Sequence, residues 1–154
     1  MFKLISQLFT ILLLILNVLS CNNNSTNPVI NTLNGNWYDV EYPDSTYNFD
    51  GKHFSSSYLG NIGYQIQVEE IVLAYDINFI IGKYTINAYD DKVIGKYYCV
   101  SYKNLKSDSV EISGAYSSDN YTFDSFTQAK ENFTKKNNNG SLMFFSSYSL
   151  CKRK

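Results

Sequence analysis

Tyr47-Asn48-Phe49-Asp50-Gly51-Lys52-His53-Phe54 is the stretch of sequence that decides the fold. Tyr47 and Phe49 alternate with polar residues before Asp50-Gly51, and Phe54 lies just beyond. Alternation with a period of two is typical of a half-buried β-strand. Asp-Gly between two such segments indicates a tight hairpin, because a type I′ turn needs positive φ at both central positions. The stretch therefore predicts two antiparallel strands joined by a short turn.

The period of two continues on both sides of this hairpin. The alternating apolar positions are Tyr38, Val40 and Tyr42; Ile62, Tyr64, Ile66 and Val68; Ile71, Leu73 and Tyr75; Tyr84, Ile86 and Ala88; and Val110, Ile112 and Tyr116. The phase slips by one residue at Glu69-Glu70 without a turn, which predicts a β-bulge. Asp90-Asp91 predicts a second turn, followed by a strand from Val93 to Tyr102.

One segment departs from this pattern. Phe126, Ala129, Lys130 and Phe133 recur at three to four residues, as on one face of a short helix. Ser125 stands at a capping position before it, and Asn137-Asn138-Asn139-Gly140 is a stop signal after it. A last strand follows, with Leu142, Phe144, Tyr148 and Leu150 on one face. The sequence therefore predicts an all-β protein, an antiparallel meander of eight or nine strands with one short helix before the last strand.

The N-terminal segment has the features of a secretory signal peptide. Lys3 precedes an almost wholly apolar run from Leu4 to Leu19, and small Ser20 stands before Cys21. We expect a signal peptide at residues 1–20, a flexible Asn- and Ser-rich tether at 21–34, and a β-barrel domain at 35–154. A membrane-spanning helix needs about 20 apolar residues, and this run is shorter. An uncleaved anchor and plain secretion remain the alternatives.

Cysteine directly after the predicted cleavage point resembles the lipobox of bacterial lipoproteins. Val18 and Ser20 occupy its first and third positions, although Leu19 is bulky for the second. The resemblance implies that Cys21 carries diacylglycerol and an acylated amino group, so that acyl chains attach the protein to the membrane. The signal, the size and the Asn- and Tyr-rich composition also resemble small surface lipoproteins of spirochaetes. We therefore expect a lipid-anchored, surface-exposed protein of the cell outer membrane.

Charge and composition argue against two function classes. Removal of residues 1–20 leaves 12 basic and 14 acidic side chains, a formal charge of −2, which is no footprint for nucleic acid. His53 is the single histidine, so a metal site lacks a ligand set. Glu69-Glu70 and Asp90-Asp91 are expected on opposite strand faces or in a turn, where they are solvated. Ser55-Ser56-Ser57 lacks the context of a nucleophile. We expect no enzyme, no metal and no cofactor.

Cys99 and Cys151 remain as an even pair once Cys21 is assigned to the anchor. In an oxidising compartment such a pair predicts a disulfide. It would close a loop of roughly 50 residues and contribute about 4 kcal/mol in the chain-entropy model. The alternative is two unpaired buried thiols.

Gly35-Asn36-Trp37 opens the first strand with a G-x-W motif that resembles the calycins, which include lipocalins, their short bacterial relatives and avidin-like barrels. The resemblance implies an eight-stranded lipocalin-like barrel in which Trp37 plugs one end and Gly35 allows close backbone approach. The alternative for Trp37 is a plain core residue. Lipocalins also pack an arginine over this tryptophan. The only arginine here is Arg153, in the C-terminal tail, so this partner is expected to be missing or replaced. A single tryptophan argues against an avidin-like biotin site.

Two function classes follow from these expectations. The first is a structural, interaction or antigenic role at the surface, with a host or envelope protein as partner. The second is a carrier of a small apolar ligand in a calycin-type cavity, since eight strands leave room for one small ligand or none. The candidates for an inward orientation are Tyr64, Ile66, Tyr84, Ile86 and Tyr98.

Overall fold

Eight antiparallel strands close into one barrel in sequence order in the computed structural model, which describes residues 32–74, 76–118 and 120–154. The strands are β1 (Gly35–Asp39), β2 (Ser45–Phe49), β3 (His53–Tyr58), β4 (Asn61–Val72), β5 (Asn78–Asn87), β6 (Tyr97–Lys103), β7 (Ser109–Gly114) and β8 (Ser149–Arg153). Helix α1 (Phe126–Phe133) lies between β7 and β8. β8 pairs with both β7 and β1 and so completes the barrel. The predicted fold class is confirmed, while the predicted signal peptide lies outside the described residues.

The Asp50-Gly51 hairpin forms between β2 and β3, where Phe49 pairs with Phe54. The Asp50 amide donates to the His53 carbonyl at 3.2 Å, so the two central turn residues are Gly51 and Lys52. Only Gly51 has positive φ, +88°, which fits a type II′ turn rather than the predicted type I′. The Asp50 carboxylate favours this geometry because its Oδ1 accepts from the amides of Lys52 and His53 at 2.7 and 2.6 Å.

The β-bulge predicted at Glu69-Glu70 is confirmed. Val68 pairs with Gly82 but Glu70 pairs with Ile81, so Glu69 is the extra residue. Tyr97 Oη donates to Glu69 Oε2 at 2.9 Å, and Lys130 Nζ donates to Glu70 Oε1 at 2.6 Å. Both carboxylates thus bind partners on the outer side of the barrel, one in β6 and one in α1. The expectation of opposite faces is wrong, because a bulge interrupts the alternation of side chains.

Helix α1 begins as predicted, with Ser125 Oγ accepting from the Gln128 amide at 3.3 Å. It ends at Phe133, before the predicted stop. The segment Asn137–Gly140 instead forms a turn, in which the Gly140 amide donates to the Asn137 carbonyl at 2.9 Å. The buried residues of α1, Ala129 and Phe133, face the outer surface of β5 and β6.

The phase of two strands differs from the prediction. In β8 Cys151 is buried while Leu150 is 48% exposed, and β8 begins only at Ser149, after Leu142 and Phe144. In β1 the buried residues are Trp37 and Asp39, whereas Val40 and Tyr42 beyond the strand are exposed. The predicted strand start at Val93 is also wrong, because residues Asp91–Val93 form a short 3-10 helix. Apolar residues that face outward in β1 and β8 suggested the opposite alternation of buried and exposed positions.

One end of the barrel is plugged by Trp37, which is fully buried. Its Nε1 donates to the Leu33 carbonyl at 2.9 Å. Leu33 is itself 1% exposed and helical, although the sequence places it in the tether. The packed domain therefore includes residues before Gly35. We call this end of the barrel the closed end.

Arg153 packs over Trp37, which corrects the expectation that the arginine partner is missing. The two residues pair across β1 and β8, and the guanidinium lies 4.2 Å from the indole centroid. The guanidinium also donates to the carbonyls of Thr32, Asn34 and Ser107 at 2.6, 2.7 and 2.9 Å. The sequence placed Arg153 in the C-terminal tail, whereas β8 extends to Arg153 and so brings this side chain over Trp37.

Gly35 is required beside this contact. Its φ is +137°, and a Cβ at this position would overlap the Arg153 guanidinium. The glycine of the G-x-W motif therefore provides both an unusual backbone conformation and space for the arginine.

The predicted disulfide between Cys99 and Cys151 is wrong, because both thiols are free and buried. Cys99 pairs with Ile81 on the outer side of the wall, whereas Cys151 pairs with Asp39 and Val110 on the lumen side. Residues that point to opposite faces of a sheet cannot bring their sulfur atoms together. Burial raises the pKa of both thiols, that of Cys151 to about 12.

We expect Trp37→Ala to lower the free energy of unfolding by about 3–5 kcal/mol, as truncations of large buried aromatic residues do. Urea denaturation checks this, with Tyr38→Ala as the matched control because Tyr38 is the half-buried neighbour on the outer face. If Trp37→Ala unfolded at nearly the same urea concentration as the wild type, the indole would not support the closed end.

Candidate functional site

The lumen beyond Trp37 contains a cluster of tyrosines. The rings of Tyr84 and Tyr98 stack with centroids 4.7 Å apart, and the Tyr64 ring meets that of Tyr98 edge-on at 5.3 Å. Tyr121 completes the cluster at 6.2 Å from Tyr98. These are the favoured offset-stacked and edge-to-face arrangements of aromatic rings. We call Tyr64, Tyr84, Tyr98 and Tyr121 the tyrosine cluster.

The tyrosine cluster continues across the lumen to β2 and β3. The Phe54 ring lies 6.4 Å from that of Tyr64, and the Tyr47 ring lies 6.0 Å from that of Phe54. Side chains therefore fill this part of the barrel, as small eight-stranded barrels allow. The rings meet because alternate residues of β2 to β6 point inward.

The inward candidates from the sequence divide into two groups. Ile66, Tyr84 and Tyr98 are buried and Tyr64 joins their cluster, whereas Ile86 is 39% exposed on the outer face. Tyr121 was missed because it lies in the connection between β7 and α1, where no alternation marks its orientation.

Three phenols of the tyrosine cluster are weaker acids than an ordinary tyrosine. Desolvation raises the pKa of Tyr64, Tyr84 and Tyr98 well above the usual value. The neighbouring phenols raise the pKa of Tyr64 and Tyr84 further, whereas hydrogen bonds with Tyr84 and Tyr64 partly lower that of Tyr98. Desolvation also raises the pKa of Tyr47 to about 12. These groups are neutral hydrogen-bonding groups near pH 7 rather than bases or nucleophiles.

Gly114 allows the tyrosine cluster to reach β7. A Cβ on Gly114 would lie 2.5 Å from Tyr98 Oη and 3.7 Å from Tyr64 Oη. The first distance is too short for any real contact, while the second is ordinary. The glycine thus provides the space that the Tyr98 phenol occupies.

The second feature is a set of exposed apolar side chains at the end of the barrel opposite Trp37. Nine of the twelve large apolar side chains that are exposed among the described residues lie in or beside the β1–β2, β3–β4 and β5–β6 loops or directly after β7: Val40, Tyr42, Tyr58, Leu59, Ile62, Ile86, Tyr89, Ile94 and Tyr116. Tyr89 is 82% exposed and Tyr116 is 71% exposed. We call these nine residues the aromatic rim.

Leu59 has an unfavourable position within the aromatic rim. It forms a two-residue turn with Gly60 between Tyr58 and Asn61, and both turn residues have positive φ, +50° and +80°. Such turns favour Asn and Gly, and a left-handed conformation costs other residues about 1–2 kcal/mol. The Leu59 side chain is 61% exposed, so burial offsets little of this cost. The Leu59 amide donates to the Asp44 carbonyl at 3.1 Å and ties two rim loops together.

Besides a cavity of about 300 Å³ beside Gln67, Glu69 and Lys83, two further cavities lie outside the tyrosine cluster. The larger, of about 550 Å³, is a polar recess at the closed end beside Asn78, Asn104 and Ser107. The other, of about 280 Å³, lies between α1 and the β4–β5 connection. We call the second one the side cleft.

The remaining candidates from the sequence do not assemble into a reactive site. Cys21 lies outside the described residues. His53 is exposed at the hairpin, with its Nδ1 3.2 Å from Asp50 Oδ2. Within residues 32–74, 76–118 and 120–154 no three His, Cys, Asp or Glu side chains converge to hold a metal ion. Across those residues, no helix has the length and apolar character to span a membrane.

Comparisons with protein-family models, with curated proteins and with solved structures find no match to this chain.

We expect Gly114→Ala to destabilise the barrel by about 1–3 kcal/mol, the usual cost of an overpacked core. Tyr98→Phe removes the oxygen that the new methyl group would meet, so the double variant should recover part of the loss. Thermal denaturation of the four proteins measures this coupling. Tyr64→Phe is the matched control and should rescue nothing. Additive effects of Gly114→Ala and Tyr98→Phe would contradict the proposed clash.

Stability should fall at alkaline pH because of the tyrosine cluster. Tyrosines of the unfolded chain titrate near pH 10, while burial raises the pKa of Tyr64, Tyr84 and Tyr98 in the fold. Above about pH 10 the unfolded chain therefore binds fewer protons, so the free energy of unfolding falls as pH rises. Below that pH this contribution is fully present.

Urea denaturation between pH 7 and 11, followed together with phenolate absorbance, checks this expectation. Tyr64→Phe should show a shallower fall above pH 10. Ionisation of every tyrosine near pH 10 with no loss of stability would show that the cluster is accessible to solvent.

Proposed function

We propose that this protein is a lipid-anchored surface protein of a bacterial outer membrane and that its aromatic rim binds a protein partner. The observation that carries the proposal is the position of the aromatic rim at the barrel end opposite Thr32, where the predicted tether joins the domain. Thr32 lies at the closed end, where its carbonyl accepts from Arg153.

The predicted anchor and the aromatic rim would face in opposite directions. Cys21 precedes Thr32 by 11 residues, and a fully extended segment of that length reaches roughly 40 Å. The tether would join the barrel at its closed end, so the aromatic rim is the end of the domain farther from the attachment point. The rim is then the part of the domain that a partner meets first.

The composition of the aromatic rim supports a protein partner. Soluble monomers rarely expose contiguous apolar patches of large area, and tyrosine is enriched in the cores of protein interfaces. Four of the nine rim residues are tyrosines. Tyrosine combines a large apolar contact area with a hydroxyl that can form a hydrogen bond.

The unfavourable backbone conformation of Leu59 supports the same interpretation. Asn or Gly at this position would suit the turn better, and an exposed leucine adds little to the stability of the monomer. A residue that is strained and exposed at once points to a role outside folding. Contact with a partner supplies that role, because burial in an interface recovers apolar surface that the monomer leaves in water.

The alternative function, a carrier with a ligand in the lumen, has less support. The rings of Tyr47, Phe54 and the tyrosine cluster contact one another through the part of the lumen in which a ligand would lie. A ligand there would have to displace several packed aromatic rings.

Metabolic labelling with an alkyne fatty acid tests the anchor. Wild-type protein should acquire the label and Cys21→Ser should lose it, since the other two thiols are buried. Cys99→Ser is the matched control and should be labelled like the wild type. Equal labelling of Cys21→Ser would overturn the anchor and leave the role of the aromatic rim to be judged separately.

Leu59→Asn tests the aromatic rim. We expect the variant to be as stable as the wild type or more stable by about 1 kcal/mol, because Asn adopts the left-handed conformation readily. A photo-crosslinking side chain in place of Tyr89 should form one discrete adduct on intact cells, and Leu59→Asn should reduce its yield. The same side chain in place of Lys106, near the closed end, should not form that adduct. Equal adducts from both positions would contradict a binding role for the rim.

A further inference from the structure

We propose that the side cleft binds a small amphiphile with one acyl chain and an anionic head group. This site is separate from both the lumen and the aromatic rim, because α1 covers the outer face of β5 and β6. The proposal does not depend on lipid attachment at Cys21.

The floor of the side cleft is apolar and accessible to solvent. It is formed by Val72, Ile77, Phe79 and Leu142. Phe79 belongs to the buried core, while the other three side chains are only partly buried and pack against that core. The floor is thus an extension of the core that the fold leaves uncovered. Burial of such a surface by a ligand removes apolar area from water.

The size of the side cleft favours a small ligand. Its volume of about 280 Å³ is at the lower end of the range for small-molecule pockets, about 300–1,000 Å³. One short acyl chain fits this space, and a ligand with several ring systems does not.

The charges around the side cleft favour an anionic head group. Lys130 and Lys136 both line it, and the Lys130 ammonium is already paired with Glu70 at 2.6 Å. Among the described residues, no carboxylate pairs with Lys136 and no acceptor binds its ammonium. The backbone of Lys136 is held by a β-bridge to Leu142, so the exposed side chain of this lysine starts next to the apolar floor.

Asp76 is the one carboxylate that lines the side cleft, and it is exposed. Within the described part of the chain it forms no ion pair with a lysine. Its charge opposes an anionic head group, and Lys136 attracts one. Replacing Asp76 should therefore strengthen the binding of a carboxylate ligand, and replacing Lys136 should weaken it. These opposite effects test whether the head group lies beside the two residues.

The test measures binding of decanoate by calorimetry to the full mature chain carrying Cys21→Ser, which is free of attached acyl chains. We expect saturable binding at one site. Each methylene removed from the probe should weaken binding about fourfold, which corresponds to about 0.8 kcal/mol per buried methylene. Failure of decanoate to bind saturably would overturn the proposal.

Variants then locate the head group. Lys136→Gln should weaken decanoate binding up to about fivefold, the upper range for an exposed ion pair, and should leave binding of decanol unchanged. Asp76→Asn should strengthen decanoate binding. Lys135→Gln is the matched control, because this neighbouring lysine does not line the side cleft. An equal effect of Lys135→Gln and Lys136→Gln would mean that only overall charge attracts the probe.

Two further variants locate the acyl chain. Leu142→Asn should weaken decanoate and decanol alike, and its melting temperature shows whether the fold is intact. Ile77→Asn, on the other side of the floor, should do the same and gives a second measurement if Leu142→Asn fails to fold. Tyr98→Phe should have no effect, and a loss of binding in this variant would place the ligand in the lumen and overturn the proposal.

Discussion

The contact between Arg153 and Trp37 is the interaction on which the rest of the structure depends. It joins the last strand to the first, since the two residues pair across β8 and β1 with the guanidinium 4.2 Å from the indole centroid. The same guanidinium holds the backbone carbonyls of Thr32, Asn34 and Ser107. Charge-assisted hydrogen bonds of this kind are stronger than neutral ones. One side chain therefore reinforces the seam between β1 and β8 and fixes the point at which the N-terminal segment enters the barrel.

Several features that depend on neighbouring residues could be predicted from the sequence, whereas the contact between Arg153 and Trp37 could not. The Asp50 hairpin, the bulge at Glu69 and the cap at Ser125 are local, and all three are present. The Arg153 contact joins residues more than a hundred positions apart. To predict this contact one must know that β8 extends to Arg153, and the alternation of residues along one strand does not say where that strand ends.

The error at Cys99 and Cys151 has the same origin. An even number of cysteines says nothing about the face to which each one points, and a shift of one residue in a strand reverses that face. Leu142, Phe144, Tyr148 and Leu150 suggested a phase for the last strand that would have placed Cys151 on the other side of the wall. The predicted site in the lumen was affected less, because Tyr64, Tyr84 and Tyr98 do contact one another, although a register shift beside Tyr64 leaves Ile86 on the outer face.

Tyrosine has opposite physical roles at two places in this barrel, which explains why its abundance alone predicts no site. In the tyrosine cluster, burial favours the neutral phenol and the rings pack against one another inside the lumen. At the aromatic rim, the same side chain remains in water, where it adds nothing to the core. Folding explains the first set, because removing a buried ring leaves a cavity. Folding does not explain the second set, nor the strained Leu59 beside it. The exposed residues of the aromatic rim, which folding does not explain, are therefore the better guide to function in this chain.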